Sequence, residues 1–238
     1  MDHVLQITLV GGGVGAAGLA ALYVWAQQLH HSLVQQVKHK SVTTKELKGM
    51  RDRGELETLS PHLTRDLEDY KIIYDIDERS SNSVAFPARE RLDKLFTQLL
   101  RRNMSLFARF PQSWTLWLIA KSPEQRESFS QAHIKALNFR EDDVFCGFYR
   151  VVKRTSGRVE IGMAIPAQQP PIEGRLIISL REQEGGTAMR TETLQWTEAR
   201  SGAVLPLDRR PIRFMHEVAS WWLLVTGVEY LEKISSEI

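Results

Sequence analysis

Few residues in this 238-residue chain combine reactive type with suggestive spacing. Arg190 and Glu192 lie two apart in Thr187 to Glu198, a segment whose alternation predicts a strand. One face of that strand carries Met189, Thr191, Thr193 and Gln195; the other carries Arg190, Glu192, Leu194 and Trp196. With the second face inward, the two charges form a buried pair able to hold or move a proton. The bland alternative is a cross-strand ion pair at the rim, and that is the expectation. His216-Glu217 opens the final helix, and an imidazole directed into an apolar cavity would have a shifted pKa suited to proton transfer. The candidate catalytic residues are therefore Arg190, Glu192 and His216. Glu160 sits on the polar side of a cleanly alternating strand, which predicts exposure to solvent.

Other chemistries find less support. Cys146 has His133 and His216 as formal partners for a nucleophile, but its neighbours Phe145, Gly147 and Phe148 predict a strand with the thiol as a small apolar filler. His30, His31 and His39 lie close in sequence, yet no cysteine or carboxylate joins them at ligand spacing, so no metal site is expected. The chain has no Gly-x-Ser-x-Gly elbow, no HExxH and no phosphate loop with lysine. Gly13-x-Gly15-x-x-Gly18 matches the dinucleotide fingerprint literally, and Gly11-x-Gly13-x-x-Ala16 its variant. A dinucleotide site also needs an acid about 20 residues on to hold the ribose. Ser32 to Lys38 offers none, and no alternating βα pattern follows. No cofactor is expected.

The glycines belong instead to an apolar run. Val4 to Trp25 contains only Gln6 and Thr8 as polar residues, and residues 3–37 carry no formal charge with histidine neutral. As a helix, 22 residues extend about 33 Å, enough to cross a hydrocarbon core of about 30 Å. Residues 4–25 are thus expected to span a membrane once. Met1-Asp2-His3 lacks the basic region of a signal peptide, and the first arginine is Arg51, late for a mitochondrial presequence. Lys38, Lys40, Lys45 and Lys48 follow the run, which places residues 41–238 on the cytosolic side, at the endoplasmic reticulum or another endomembrane. The sequon Asn103-Met104-Ser105 falls in a predicted helix and is expected to be unmodified.

Composition bounds the remainder. The 31 basic and 29 acidic residues are well mixed, which argues against a nucleic-acid surface. A single cysteine excludes an intramolecular disulfide and fits a reducing compartment. Three segments are expected: residues 1–40 as membrane anchor and helical stalk, 41–68 as charged linker with a short helix, and 69–238 as one α+β domain. Within the last, Asp69 to Asp77 predicts a strand and Glu78 to Val84 a loop. Leu92, Leu95, Phe96, Leu99, Leu100, Phe107 and Phe110 mark the buried stripe of a helix closed by Pro111. Trp114 to Ala120 is a short apolar piece. Ser122-Pro123-Glu124-Gln125 is a capping-box start for a helix to about Asn138. Strands follow at 145–153, 158–165, 174–181 and 187–198, the first two joined by a hairpin turn at Arg154 to Gly157. Arg210 to Ser235 is a long helix whose uncharged middle, Val218 to Val228, is too short to span a bilayer. Adjacent on it, Trp221 and Trp222 point about 100° apart, so one is core and the other is free to line a cavity or meet a membrane surface.

This order (strand, helices, antiparallel hairpins, long last helix) resembles the helix-grip fold of the START/polyketide-cyclase-like superfamily over residues 69–238, with fewer strands than usual. The resemblance implies an antiparallel sheet packed on the C-terminal helix with a hydrophobic cavity between them. Trp221, Trp222, Leu194 and Trp196 are the candidate ligand-binding residues in such a cavity. Phe110 to Trp114, Asp143 to Val151 and His216 to Trp222 also resemble segments of uncharacterised membrane-anchored fungal proteins near secondary-metabolite genes, which implies that metabolic context. Three function classes follow: a tethered pocket for a lipid-like or polyketide-like molecule, a non-redox cyclase or isomerase using that pocket, and a ligand-free membrane scaffold for a protein partner.

Overall fold

A computed structural model describes residues 23–53, 67–164 and 172–236 of the chain. The expected membrane span lies almost wholly outside them; among the described residues no helix is long and apolar enough to cross a membrane.

The architecture is α+β. Helix α1 (23–34) leads into strand β1 (Lys38–Val42) and helix α2 (Thr44–Asp52). Strand β2 (Tyr70–Ser81) is followed by helices α3 (Arg89–Phe107), α4 (Pro111–Ile119), α5 (Pro123–Glu127) and α6 (Gln131–Ala136). Then come β3 (Val144–Phe145), β4 (Tyr149–Thr155), β5 (Arg158–Ala164), β6 (Glu173–Gln183) and β7 (Gly186–Glu198). Helix α7 (Arg210–Ser236) ends the described chain. The strands form one antiparallel sheet in the order β1-β2-β7-β6-β5-β4-β3.

Register assigns every side chain of the sheet to one of two faces. The helix-covered face carries Val159, Ile161, Ile178, Leu180 and Met189, which pack against Phe96, Leu99 and Leu100 of α3 and Trp221, Leu224 and Val228 of α7. The opposite face carries Tyr74, Ile76, Leu194 and Trp196, covered by Leu47 of α2 and by Leu67. Both faces of β7 are therefore buried.

Several expectations change once packing is included. Pro111 does not stop the structure; it occupies the first turn of α4, where its missing N–H costs nothing. The helix expected from Ser122 to Asn138 is two short ones, because Ser130 caps α6 with its own hydroxyl. The loop expected from Glu78 continues β2 to Ser81, since Glu78 to Ser81 pair with Thr187 to Arg190. Residues 38–42 run across the boundary drawn at residue 40 as strand β1 of the common sheet. Leu33 and Val37, expected in a free stalk, are buried in the main core, because their apolar stripe finds a surface there. Glu160, expected in solvent, is buried and ion-paired with Arg158. Cys146 lies not on a strand but in the β3–β4 turn, with φ at +46° beside Gly147 at +71°. Asn103 is buried within α3, its amide donating to the Leu223 carbonyl at 3.3 Å.

The β6–β7 turn shows how tightly the long strands meet. A Cβ on Gly186 would lie 2.1 Å from the Ser81 carbonyl oxygen, whereas one on Gly185 (φ +79°) would meet nothing within 4 Å. Gly186→Ala should destabilise the chain by about 1–3 kcal/mol through backbone displacement. Gly185→Asn, which tolerates positive φ, should change stability by less than about 1 kcal/mol. Urea midpoints for the two variants check this; equal midpoints would refute the close approach.

Candidate functional site

Between the helix-covered face of the sheet and α3, α4 and α7 lies a cavity of about 460 Å³. Its volume falls in the range of small-molecule sites. Met163, Leu176, Ile178 and Met189 line it from the sheet, and Met104, Phe107, Leu223 and Leu224 from the helices. Polar groups are few and uncharged. Thr191, Thr193 and Gln195 present a strip at i, i+2, i+4 along β7; His216 and Ser220 face the cavity from successive turns of α7; Gln112 and Thr115 come from α4. Among the described residues, no carboxylate lines the space. Arg175 borders it, but its guanidinium sits over the Trp196 ring on the opposite face.

The strip holds unsatisfied hydrogen-bonding capacity. Thr193 Oγ1 lies 3.2 Å from His216 Nε2, and Gln195 Oε1 accepts from the Leu207 N–H at 3.2 Å. Thr191 Oγ1 and Gln112 Oε1 are buried without a hydrogen-bond partner among the described residues. Unpaired buried polar atoms are costly, about 1–3 kcal/mol each, so a ligand bearing matching groups would recover that energy.

Burial holds the His216 imidazole below its ordinary pKa, although Asp77, Asp75 and Glu217 pull the other way. The side chain is therefore neutral at pH 7, able to accept a proton or to donate one N–H. At Tyr149, another lining residue, burial acts in the opposite direction: it raises the hydroxyl pKa, so the side chain stays protonated.

The sequence-derived candidates separate into two groups. His216 lies in the cavity. Glu192 is buried and Arg190 half-buried, the two paired at 3.3 Å, but on the sheet face away from it. There Glu192 also accepts from the Tyr74 hydroxyl and lies 3.6 Å from Arg181. Trp196 belongs to the same far face, and Leu194 borders the cavity while packing with Tyr74 and Trp196. Trp221 and Trp222 are absent from the lining. The Trp221 indole N–H donates to Asp77 at 2.7 Å, and His30 stacks on its ring at 5.0 Å. Trp222 packs edge-on against Phe110 at 5.5 Å. The residues missed, Thr191, Thr193 and Gln195, had a readable signal: three neutral hydrogen-bonding side chains on one face of an otherwise apolar core strand.

Cys146 has no catalytic setting. Burial pushes its thiol up to about 12, so it carries no thiolate at neutral pH, and its hydrogen-bonding neighbour is Ser113 at 3.9 Å. His133 is engaged with the Val144 carbonyl at 2.8 Å. Among the described residues, no group of three histidines, cysteines or carboxylates could hold a metal ion.

Behind the cavity wall lies a carboxylate cluster. Asp77 Oδ1 accepts from Trp221 and lies 2.7 Å from His39 Nδ1; Asp75 accepts from Ser41 and lies 3.4 Å from Arg213. The hydrogen bond to Asp77 raises the His39 pKa above 6.5 despite partial burial. The two histidines consequently act on stability with opposite sign. His39 contributes stability that is fully present below 6.5 and lost as pH rises through its higher native value. His216 costs nothing above 6.5, and stability falls as pH drops from 6.5 towards its lower native value. His39→Gln should remove the alkaline loss, and His216→Gln the acid-side loss, in urea midpoints taken from pH 5 to 8; unchanged slopes would refute the assignments. Comparison of the chain with known protein families, curated proteins and solved structures finds no match to any of them.

Proposed function

We propose that the chain is a membrane-tethered domain that binds a neutral, hydrophobic small molecule of lipid-like or polyketide-like character. The observation that carries this is the cavity of about 460 Å³, apolar on most walls and free of lining carboxylates among the described residues, with one strip of neutral donors and acceptors. Such a lining favours a ligand that is mainly hydrocarbon with one or two hydroxyl or carbonyl groups. The long last helix packed over an antiparallel sheet, with the cavity between, supports the helix-grip comparison. The uncharged run from Val4 to Trp25 supports the tether, and the faint likeness to fungal secondary-metabolite proteins supports a polyketide-like ligand.

One observation favours a catalytic version of the same reading. A neutral imidazole with Thr193 at 3.2 Å, next to a Thr191 hydroxyl without a partner among the described residues, supplies a base and oxyanion donors for an isomerisation or cyclisation. In that reaction His216 would take a proton from an acidic C–H or O–H, the two threonine hydroxyls would hold the developing oxyanion, and the imidazolium would return the proton at another atom.

Native mass spectrometry of the purified full chain tests binding: a discrete mass should be lost on denaturation. A Cβ at Gly174 lies no closer than 3.4 Å to its neighbours, so Gly174→Leu can fold while its side chain projects into the cavity and takes space the ligand needs; the bound mass should disappear. A bare wild-type chain, or a mass retained in Gly174→Leu, would overturn the proposal. With the ligand named, His216→Gln should leave binding intact and lower any turnover by about 10²–10⁴.

A further inference from the structure

We infer that α4 and the rim of the cavity dock on an anionic lipid bilayer, so that the mouth opens onto the membrane surface. Helix α4 has the sequence PQSWTLWLI, with no charge. Helices apolar on every side are normally buried, yet only Ser113 and Leu116 of α4 are. Leu118 is 71% exposed, Trp114 59%, Ile119 46% and Trp117 43%. Trp114, Trp117 and Leu118 fall at i, i+3 and i+4, a single outward stripe. The inward side of the same helix supplies Gln112, Thr115 and Leu116 to the cavity wall. Across the mouth, Ile212 and Met215 both line the cavity and remain exposed.

The chain's direction puts the start of α1 at that end too. Asp75 meets Arg213, Asp77 meets Trp221, and Ser81 meets Glu232, so β2 and α7 run together from the mouth end to the far end. His30 lies beside Phe214 and Trp221, while Gln36 bonds Arg79, so α1 runs the same way. Tyr23, Val24 and Trp25, all exposed, therefore sit towards the mouth end and are the last three residues of the apolar run. The occupant is a bilayer rather than a protein because charge and aromatic chemistry agree. Exposed Arg109 and Lys121 bracket α4, Arg126 lies over the Trp117 ring at 5.3 Å, and Arg209-Arg210 begin α7 at the same end. Glu124, Glu127, Glu173 and Asp208 are acids at this end, the last paired with Lys71. Tryptophans with flanking cations are the composition that seats a helix at the headgroup boundary. This inference deepens the carrier reading: the ligand is one that partitions into membranes and is exchanged there.

The test places a bimane fluorophore at Leu118→Cys in the full chain, native Cys146 being buried. A second labelled protein carries it at Glu184→Cys, in the β6–β7 turn at the opposite end. Vesicles of phosphatidylcholine with about a quarter phosphatidylserine carry nitroxide lipids as quenchers. The Leu118 label should shift to the blue and be quenched about two-fold or more, while the Glu184 label stays unquenched. Equal or absent quenching at Leu118 overturns docking. So does a blue shift that grows with protein concentration without vesicles, which would mean that a second copy covers α4. In the Gly174→Leu background quenching should persist, so a failed cavity reading and a failed docking reading give different results.

Discussion

Asp77 is the group that ties strand β2 to the last helix and to the N-terminal strand β1. It lies on the helix-covered face of β2, nearly fully buried, where an uncompensated carboxylate would be prohibitive. Its Oδ1 takes the Trp221 indole N–H and faces the His39 imidazole, so one oxygen joins α7, β2 and β1. His30 from α1 stacks on that same indole and reaches Glu217 at 3.1 Å. Removing any one partner leaves charge or a donor stranded in the core. The N-terminal segment is thereby fixed to the last helix by polar contacts as well as by Leu33 and Val37.

This node explains why the tryptophans are structural. A buried indole needs an acceptor for its N–H, and Asp77 supplies one on the side away from the cavity. Trp221 then occupies the α1 side of the helix, which leaves Met215, His216, Ala219, Leu223 and Leu224 for the cavity wall. The same geometry sets the electrostatics of His216. Asp75, Asp77 and Glu217 favour its protonation, but they are turned towards Arg213, His39 and His30, and burial outweighs them.

The α+β class and the long last helix were legible in the sequence because periodicity reports burial directly. The anatomy of the site was only half legible. Alternation in β7 separates two faces correctly, yet it cannot say which one meets the cavity when both are covered. Arg190 and Glu192 share the face that α2 covers, where Glu192 is buried beside Tyr74 and two arginines while Arg190 is only half-buried. Glu160 was misjudged for the same reason, since a partner arginine two residues away removes it from water. The role of residues 29–42 was not legible at all: nothing in a short apolar stripe names the surface it packs on.

A mainly apolar cavity with no lining carboxylate among the described residues limits what can reach it. Transfer of a hydrophobic ligand from water gains about 25 cal/mol per Å² of apolar surface buried, but a ligand dissolved in a bilayer has already gained most of that. Under the proposed exchange with a membrane, uptake would depend on what hydrocarbon does not offer, and the lining supplies it: Thr191 and Gln112 without partners among the described residues, and a neutral His216 beside Thr193. Each unmet hydrogen bond satisfied by a ligand is worth about 1–3 kcal/mol, a five-fold to hundred-fold preference. Selection in this pocket is thus expected to follow the position of one or two oxygens on the ligand more than its bulk. On the proposed reading, the polar strip of β7, rather than the apolar walls, would set specificity.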